Sequence, residues 1–377
     1  MMKQKAPELL ALFIFIMFFS LASFSCNNNE ISPVDDLDVQ IGQMLMIGFR
    51  GFSIDPGNPI VYDLTQNHIG GVVLYDKDVT TNSFERNIKS PEQLKALVAS
   101  VKKYSSIPLL VAIDQEGGMV NRLKTNYGFP PSVSEQYLGN INNPDTTKKY
   151  ADVTASTLED MGINVNLAPV IDLNVNPDNP VIGKLGRSFS ADANIVTNNA
   201  EEMIRVFHQH KVLATLKHFP GHGSSQTDSH LGFTDVTNTW SRIELQPYVN
   251  LINSGNADLI MTAHIFNAHL DPEYPATLSK HIITGILRDS LKYNGVIISD
   301  DMQMKAITDY FGLETAILNS INAGVDILLF SNNSVYDPQI ATKAVQIIKK
   351  LISERKISRA RIYESYSRIM NLKRKIE

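Results

Sequence analysis

Ionisable side chains stand where long apolar runs of this sequence end. Four such runs close on residues that carry charge or exchange protons, and one loop adds two more. They are Asp114 and Glu116, then Lys217, His218 and His222, then Asp228 and His230 in the loop, then His264, then Asp300 and Asp301. Carboxylates can act as nucleophiles and imidazoles exchange protons near neutral pH. If the fold brings these groups together, they can support covalent and acid–base chemistry.

Eight unbroken apolar runs predict strands that are buried on both faces, which is typical of parallel sheets. They are Gln43–Phe49, Ile69–Tyr75, Pro108–Asp114, Ile163–Leu173, Val212–Phe219, Leu259–Ile265, Gly295–Asp301 and Val325–Ser331. Segments with helical spacing lie between them. They are Pro91–Tyr104, Thr146–Met161, Ala191–His210, Glu244–Asn253, Lys280–Leu291, Glu314–Ala323 and Pro338–Glu354, and Asp192 is placed to cap the third.

The alternation of strand and helix predicts an α/β fold, and eight strands favour a closed (β/α)8 TIM-type barrel over an open doubly wound sheet. No Gly-rich dinucleotide fingerprint follows the first strand, which also argues against the open sheet. The connection from Asp76 to about Pro91 has the character of an irregular loop, so we expect the barrel to be irregular near its start. Active sites of such barrels lie at the C-terminal ends of the strands, where the polar residues above would meet.

Composition fits one large globular domain. Of 377 residues, 43% are hydrophobic and 19% are charged, which are ordinary values for a folded protein. We predict that residues 37–377 form the barrel, as a monomer. The net charge of −5 and the lack of a long run of Lys or Arg in the body argue against nucleic acid as a partner.

The first 26 residues differ from the rest. Two lysines precede a nearly unbroken apolar run from Leu9 to Phe24, and Cys26 follows it as the only cysteine. The run is shorter than the ~20 residues that cross a bilayer comfortably. We therefore interpret residues 1–26 as a secretory signal of the bacterial lipoprotein type rather than a retained transmembrane helix. In the alternative interpretation, Cys26 is an incidental residue of a signal that is cut elsewhere.

The polar residues 27–36 have the composition of a tether between this signal and the barrel. The two segments together predict an exported protein, lipid-anchored to a bacterial cell envelope on its periplasmic or outer side. We expect contact with the membrane only through that anchor.

Four motifs resemble glycoside hydrolase family 3, and specifically its β-N-acetylhexosaminidase branch. They are DQEGG from Asp114, KHFPGHG from Lys217, DSH from Asp228 and GVIISDDMQM from Gly295. They stand in the family's order, and the resemblance spans about residues 38–375. It implies a retaining exo-glycosidase with no cofactor and no metal. Its substrate would be terminal β-linked N-acetylglucosamine on peptidoglycan fragments or other amino-sugar glycans.

The resemblance also implies a role for each matching residue. Asp300 corresponds to the nucleophile, and His230 and Asp228 correspond to the acid/base histidine and its companion. His264 and Asp301 are candidates for supporting residues. The residues that would hold the sugar hydroxyls are Asp114, Arg122 eight positions later, Arg187 in GRSF, Lys217 and His218.

The chemistry of these residues fits those roles. A retaining glycosidase needs a carboxylate to attack the anomeric carbon, and a second group to protonate the leaving oxygen and then activate water. His230 suits the second role because the unperturbed pKa of histidine, ~6.5, lies near working pH. Asp228 can bond one ring nitrogen and fix the tautomer. A neutral or cationic acid also avoids a second anion beside Asp300.

Two positions depart from the family pattern. Met119 stands where an Arg is common, and the usual Pro shortly after DSH is absent, the chain reading HLGFTD. Within the family, a β-glucosidase or β-xylosidase and a phosphorylase remain alternatives. The first two usually take their acid/base residue from a second domain, which we do not expect here. Sequence alone does not separate water from phosphate as acceptor.

Two alternative functions lie outside the family. A zinc hydrolase would use His218, His222, Asp228 and His230 as ligands. However, the His-x3-His spacing falls at a strand end and a Gly-rich turn rather than on a helix, where both rings would share a face. A glycan-binding lipoprotein without catalytic activity would have little reason to keep the nucleophile and the dyad together.

Overall fold

A computed structural model describes residues 36–377 of the chain. The predicted signal, Cys26 and all but the last residue of the predicted tether lie outside the described residues. Asp36, that last residue, caps the first helix, because its side chain accepts a hydrogen bond from the backbone N–H of Asp38 at 2.9 Å. Between residues 36 and 377, no helix combines the length and the apolar character that crossing a membrane requires.

Residues 36–377 contain ten strands, of which eight form a parallel sheet at the centre of the fold and two pair separately. In chain order the strands are β1 Leu45–Gly48, β2 Gly71–Leu74, β3 Leu110–Ile113, β4 Val165–Asn166, β5 Leu213–Phe219, β6 Thr234–Asp235, β7 Leu259–Thr262, β8 Ile265–Phe266, β9 Val296–Ile298 and β10 Leu328–Phe330. The main sheet has the order β10-β1-β2-β3-β4-β5-β7-β9, and β6 pairs with β8. Ile298 pairs in parallel with Ile327, just before β10, and so closes the sheet. The predicted (β/α)8 barrel is confirmed.

Helices surround this barrel. They are α1 Leu37–Gln43, α2 Pro59–Thr65, α3 Pro91–Tyr104, α4 Glu135–Ile141, α5 Pro144–Met161, α6 Ala193–Gln209, α7 Gln246–Asn253, α8 Lys305–Thr308, α9 Leu313–Ala323, α10 Ile340–Ser353 and α11 Arg359–Lys373. A π-helical segment, His281–Ser290, takes the place of a helix between β7 and β9. The predicted cap of α6 is present, since Asp192 accepts from the N–H of Asn194 at 2.7 Å.

Five helices were not predicted: α1, α2, α4, α8 and α11. The first four have seven residues or fewer, too short for helical periodicity to show. The buried stripe of α11 includes two polar residues, Ser365 and Lys373, which weaken its apolar pattern in the sequence. The expected strand at Gln43–Phe49 is also shorter, because Gln43 ends α1.

The fourth predicted strand, Ile163–Leu173, is regular only over β4. Pro169 has no N–H for a ladder, and beyond it only Val170 pairs, in a bridge with Lys217. The segment then runs across the rim, where Asp172 lies buried. The polar residues of the predicted site therefore lie at or just past the strand ends.

The irregular loop predicted after β2 is also present, and Asp78 holds it together. Its carboxylate pairs with Arg86 at 2.7 Å and with Arg50 at 2.6 Å. The buried guanidinium of Arg86 donates in turn to the carbonyls of Ser331 and Asn332, at 3.3 and 2.8 Å. The loop is thus tied past β1 to the end of β10.

Candidate active site

A buried ion-pair network joins the ends of β3 and β5. Nζ of Lys217 lies 2.8 Å from Asp114 and 2.6 Å from Glu116. Arg187 binds both oxygens of Glu116, Nε at 2.7 Å and Nη2 at 2.8 Å. Burial alone would raise the pKa of Glu116, but Arg187 and Lys217 hold that pKa well below its usual value. Because Glu116 is the anion that keeps both cations in place, it belongs to the site, although no role was predicted for it.

Asp114 is the member of this network that faces outward. Its side chain is 16% exposed, and Arg122 Nη2 lies 3.6 Å from its second oxygen. Burial would raise the pKa of Asp114, but Lys217 and Arg122 lower it below the usual value. Asp114 is therefore an ionised acceptor at the open edge of the network. Arg122 also reaches to 3.9 Å from Asp76, which follows β2.

Asp172 extends the network to His218. Nδ1 of His218 lies 2.6 Å from Asp172, and Nε2 lies 3.3 Å from Nη2 of Arg187. Since a guanidinium only donates, Nε2 must accept and Nδ1 must carry the proton that is donated to Asp172. Asp172 also accepts from the backbone N–H of His222 at 2.8 Å. Asp172 was missed in the sequence, although a carboxylate near the end of the fourth apolar run was a usable signal.

Asp300 directly follows Ser299 after β9 and is partly exposed. Burial would raise its pKa, but His264, His218 and His230 lower it to about 2. The N–H of Asp301 donates to it at 2.7 Å and stabilises the anion further. At neutral pH Asp300 is therefore a carboxylate, as a nucleophile requires.

The neighbouring Asp301 turns towards β10 instead. Its carboxylate accepts from the N–H of Ser331 at 3.0 Å and from that of Gln303 at 3.1 Å. Burial and the adjacent Asp300 raise its pKa. Its carbonyl oxygen accepts from Nε2 of His264 at 3.0 Å. This bond fixes the proton of neutral His264 on Nε2, so Asp301 and His264 brace the strand end that presents Asp300.

The loop between β5 and β6 carries the pair Asp228 and His230. Nδ1 of His230 lies 2.8 Å from Asp228, which also accepts from the backbone N–H of His230 at 2.8 Å. The imidazole is 62% exposed. Burial would lower its pKa, but Asp228 and Asp300 raise it above the usual value. The negative charge of Asp300 thus raises the pKa of His230, although the two residues are 70 positions apart in the chain.

The base of this loop rests on buried polar groups. Glu244 accepts from the N–H of Gly223 at 3.0 Å, and Nε2 of His222 lies 3.2 Å from Oγ of Ser229. Burial and the neighbouring His218 lower the pKa of His222 to about 4. His222 is therefore neutral and structural at working pH. Among residues 36–377, no three His, Cys, Asp or Glu side chains are grouped as a metal site.

The structure therefore gathers the residues predicted from sequence at one rim. Asp114, Arg122, Lys217, Arg187 and His218 form one connected charged half. The other half holds the carboxylate Asp300, the braces His264 and Asp301, and the Asp228–His230 pair. Met119, one of the two departures from the family pattern, is 73% exposed and contributes nothing to the buried network.

The family of the chain follows from comparison with known proteins. The model of the glycosyl hydrolase family 3 N terminal domain matches residues 36–372. The chain belongs to this family, as the four motifs indicated.

Its relatives include proteins named beta-hexosaminidase. Beta-hexosaminidase A of Pseudoalteromonas piscicida is 32% identical over 89% of this chain. Beta-hexosaminidase of Tolumonas auensis is 34% identical over 77% of this chain and 83% of its own length. The chain spans only 60% of the length of the first of these proteins.

Solved structures of the same family share the fold. A glycoside hydrolase family 3 beta-N-acetylglucosaminidase from Paenibacillus sp. FPU-7 is 33% identical, with a TM-score of 0.82 over 90% of this chain and 62% of its own. A beta-N-acetylhexosaminidase from Beutenbergia cavernae is 26% identical, with a TM-score of 0.80 over 90% of this chain and 98% of its own.

Proposed function

We propose that this chain is a retaining β-N-acetylhexosaminidase that removes terminal β-linked N-acetylglucosamine. The observation that carries the proposal is a carboxylate at the end of β9, Asp300, together with the hydrogen-bonded Asp228–His230 pair, 2.8 Å apart. His230 is among the groups that lower the pKa of Asp300, and Asp300 in turn raises the pKa of His230. A retaining mechanism needs such a carboxylate and a separate proton donor. The relatives named beta-hexosaminidase support the sugar assignment.

In the first step Asp300 attacks the anomeric carbon and forms a glycosyl ester. His230 gives its Nε2 proton to the leaving oxygen as the glycosidic bond breaks. Water then attacks the same carbon, His230 takes the proton from this water, and Asp300 leaves as a carboxylate. Asp228 holds Nδ1–H of His230 throughout, so that Nε2 is the nitrogen that moves protons.

The charged half of the site binds the terminal sugar in this proposal. Ionised Asp114 accepts from a pair of hydroxyls, while Lys217 and Arg122 donate to others. Arg187 and His218 complete the set. Because Glu116 and Asp172 already hold Lys217, Arg187 and His218 in fixed positions, the site is preorganised before sugar arrives. Preorganised donors lose little freedom when they bind.

The natural substrate and the location belong to the same proposal. We infer that the protein is exported and lipid-anchored through Cys26, and that it acts as a monomer. It would release N-acetylglucosamine from peptidoglycan fragments or other amino-sugar glycans outside the cytoplasm. The mass of the mature protein tests the anchor. A diacylglyceryl adduct is expected in the wild type and not in Cys26→Ser, and an unlipidated wild type contradicts it.

A panel of aryl β-glycosides tests the activity. The N-acetylglucosaminide, the glucoside and the xyloside are compared, each with and without phosphate. We expect the N-acetylglucosaminide to be preferred and free N-acetylglucosamine to be the product. A preference for glucoside or xyloside, or a sugar phosphate as product, would favour the β-glucosidase, β-xylosidase or phosphorylase alternatives.

Asp300→Asn tests the nucleophile. The amide keeps the shape but is a poor nucleophile, so we expect kcat to fall by at least about a thousandfold. Asp309→Asn is the matched control, because Asp309 is exposed nine residues further along the chain. Retention of more than a small residual rate by Asp300→Asn would refute the assignment.

A further inference from the structure

Three aromatic rings meet at the surface beside the catalytic loop. Phe233 lies 5.1 Å from Phe266 and 5.4 Å from Tyr310, centroid to centroid, with the rings tilted by 40° and 52°. Phe233 is 41% exposed, Tyr310 is 57% exposed and Phe266 is half-buried. We call these three residues the aromatic cluster.

Each ring stands on a segment that also carries a residue of the site. Phe233 follows His230 by three residues and Phe266 follows His264 by two, and such stretches span at most about 10 and 7 Å. The pairing of β6 with β8 places Thr234 opposite Ile265 and so joins the two segments. Tyr310 comes from the connection after β9, which also carries Asp300. The aromatic cluster therefore lies against the half of the rim that holds the catalytic groups.

Packing of the fold does not account for this exposure. Phe311, next to Tyr310, is the ring that turns inward, 6.0 Å from Tyr274 and against the core. Tyr310 instead shows its ring to solvent. Contiguous exposed aromatic surface beside convergent polar groups marks ligand sites.

We propose that the aromatic cluster binds the second sugar of the substrate, the one that leaves on the oxygen protonated by His230. This inference rests on the proposed function. The charged half of the site, around Lys217, suits the hydroxyls of the terminal sugar. The aromatic cluster contributes only aromatic faces and one phenol. Such faces pack on the apolar face of a pyranose ring, and the phenol can still bond a hydroxyl.

The position of the acid supports this direction. A proton donor must lie on the leaving-group side of the bond that breaks, and Phe233 belongs to the same loop as His230. The chain should therefore prefer a glycan of at least two sugars to a glycoside whose leaving group is too small to reach the rings.

The test compares two substrates of different size. One is the β-1,4-linked disaccharide of N-acetylglucosamine, which reaches the aromatic cluster. The other is methyl N-acetyl-β-glucosaminide, whose alcohol leaving group also needs the proton of His230 but is too small to reach the aromatic cluster. For Tyr310→Ala and Phe233→Ala, we expect the ratio of kcat/KM for the disaccharide to kcat/KM for the methyl glycoside to fall about tenfold, or ~1.4 kcal/mol. Tyr363→Ala, an exposed tyrosine of α11, is the matched control and should keep the wild-type ratio.

The outcomes separate the two proposals. If both substrates lose equally, the aromatic cluster only supports the loop that carries His230, because both alcohol leaving groups need its proton; the subsite is then refuted. If kcat/KM stays at the wild-type value for both substrates in both variants, the subsite is also refuted. If the wild type hydrolyses neither substrate, the proposed function itself fails and the subsite with it.

Discussion

Glu116 offers the sharpest test of how the site is held together. It is buried and contacts two cations. It accepts two charge-assisted hydrogen bonds from Arg187, at 2.7 and 2.8 Å, and forms an ion pair with Lys217 at 2.6 Å. Glu116→Gln keeps the volume but removes the charge. The amide nitrogen then faces a cation that can only donate, so one donor of Arg187 or Lys217 loses its partner.

The expected cost is that of breaking a buried ion pair, about 3–5 kcal/mol. Unfolding entropy of about 2.1 cal/mol/K per residue gives ~0.7 kcal/mol/K for about 340 residues. Glu116→Gln should therefore lower Tm by about 4–7 °C at pH 7. The network also positions Lys217 and Arg187, so we expect KM for an aryl N-acetylglucosaminide to rise as well.

The stabilisation that Glu116 provides depends on pH. The folded-state pKa of Glu116 lies well below its unfolded value of ~4.3. Its stabilisation is therefore fully present above about pH 4.3 and is lost as the pH falls through the folded-state pKa. The gap in Tm between the wild type and Glu116→Gln should narrow at acid pH.

Differential scanning calorimetry from pH 3 to 8 measures this gap. Glu273→Gln, an exposed glutamate, is the control and should stay within about 1 °C of the wild type, since surface changes cost little. A loss of less than about 1 °C in Glu116→Gln, or a gap that widens at low pH, would show that the charge of Glu116 does not hold the network.

Three further predictions concern the reaction. Asp228→Asn removes a carboxylate that raises the pKa of His230. The basic limb of the pH profile of kcat/KM, where His230 loses its proton as the acid, should therefore move to lower pH. A basic limb that does not move would contradict the pairing of Asp228 with His230. His230→Ala should slow substrates with poor leaving groups about 10²–10⁴-fold and activated aryl glycosides far less; equal losses in parallel kinetics would exclude it as the acid. Asp172→Asn weakens the bond that orients His218, so KM should rise about tenfold with a smaller change in kcat; steady-state kinetics showing the reverse would place His218 in the chemical step.

Much of the fold was predictable because its signals are local. Buried strands are recognisable in the sequence as unbroken runs of Val, Ile and Leu. Longer helices such as α3 and α6 are recognisable by the helical spacing of their apolar residues. Short helices give too few turns for a period to appear. The two-residue strands β6 and β8 were missed for the same reason, since their pairing depends on the path of a loop rather than on their own residues.

The site, like the fold, was predictable only in part. The sequence by itself determined which ionisable groups close the apolar runs, and its motifs singled out Asp300, His230 and Asp228. Only the tertiary structure decided that Glu116 holds Arg187 across 71 positions and that Asp172 orients His218. Burial and strand ends are properties of neighbouring residues, whereas charge pairing depends on distances between residues far apart in the chain. Closure of the barrel sets those distances, and with them the ionised state of Asp300.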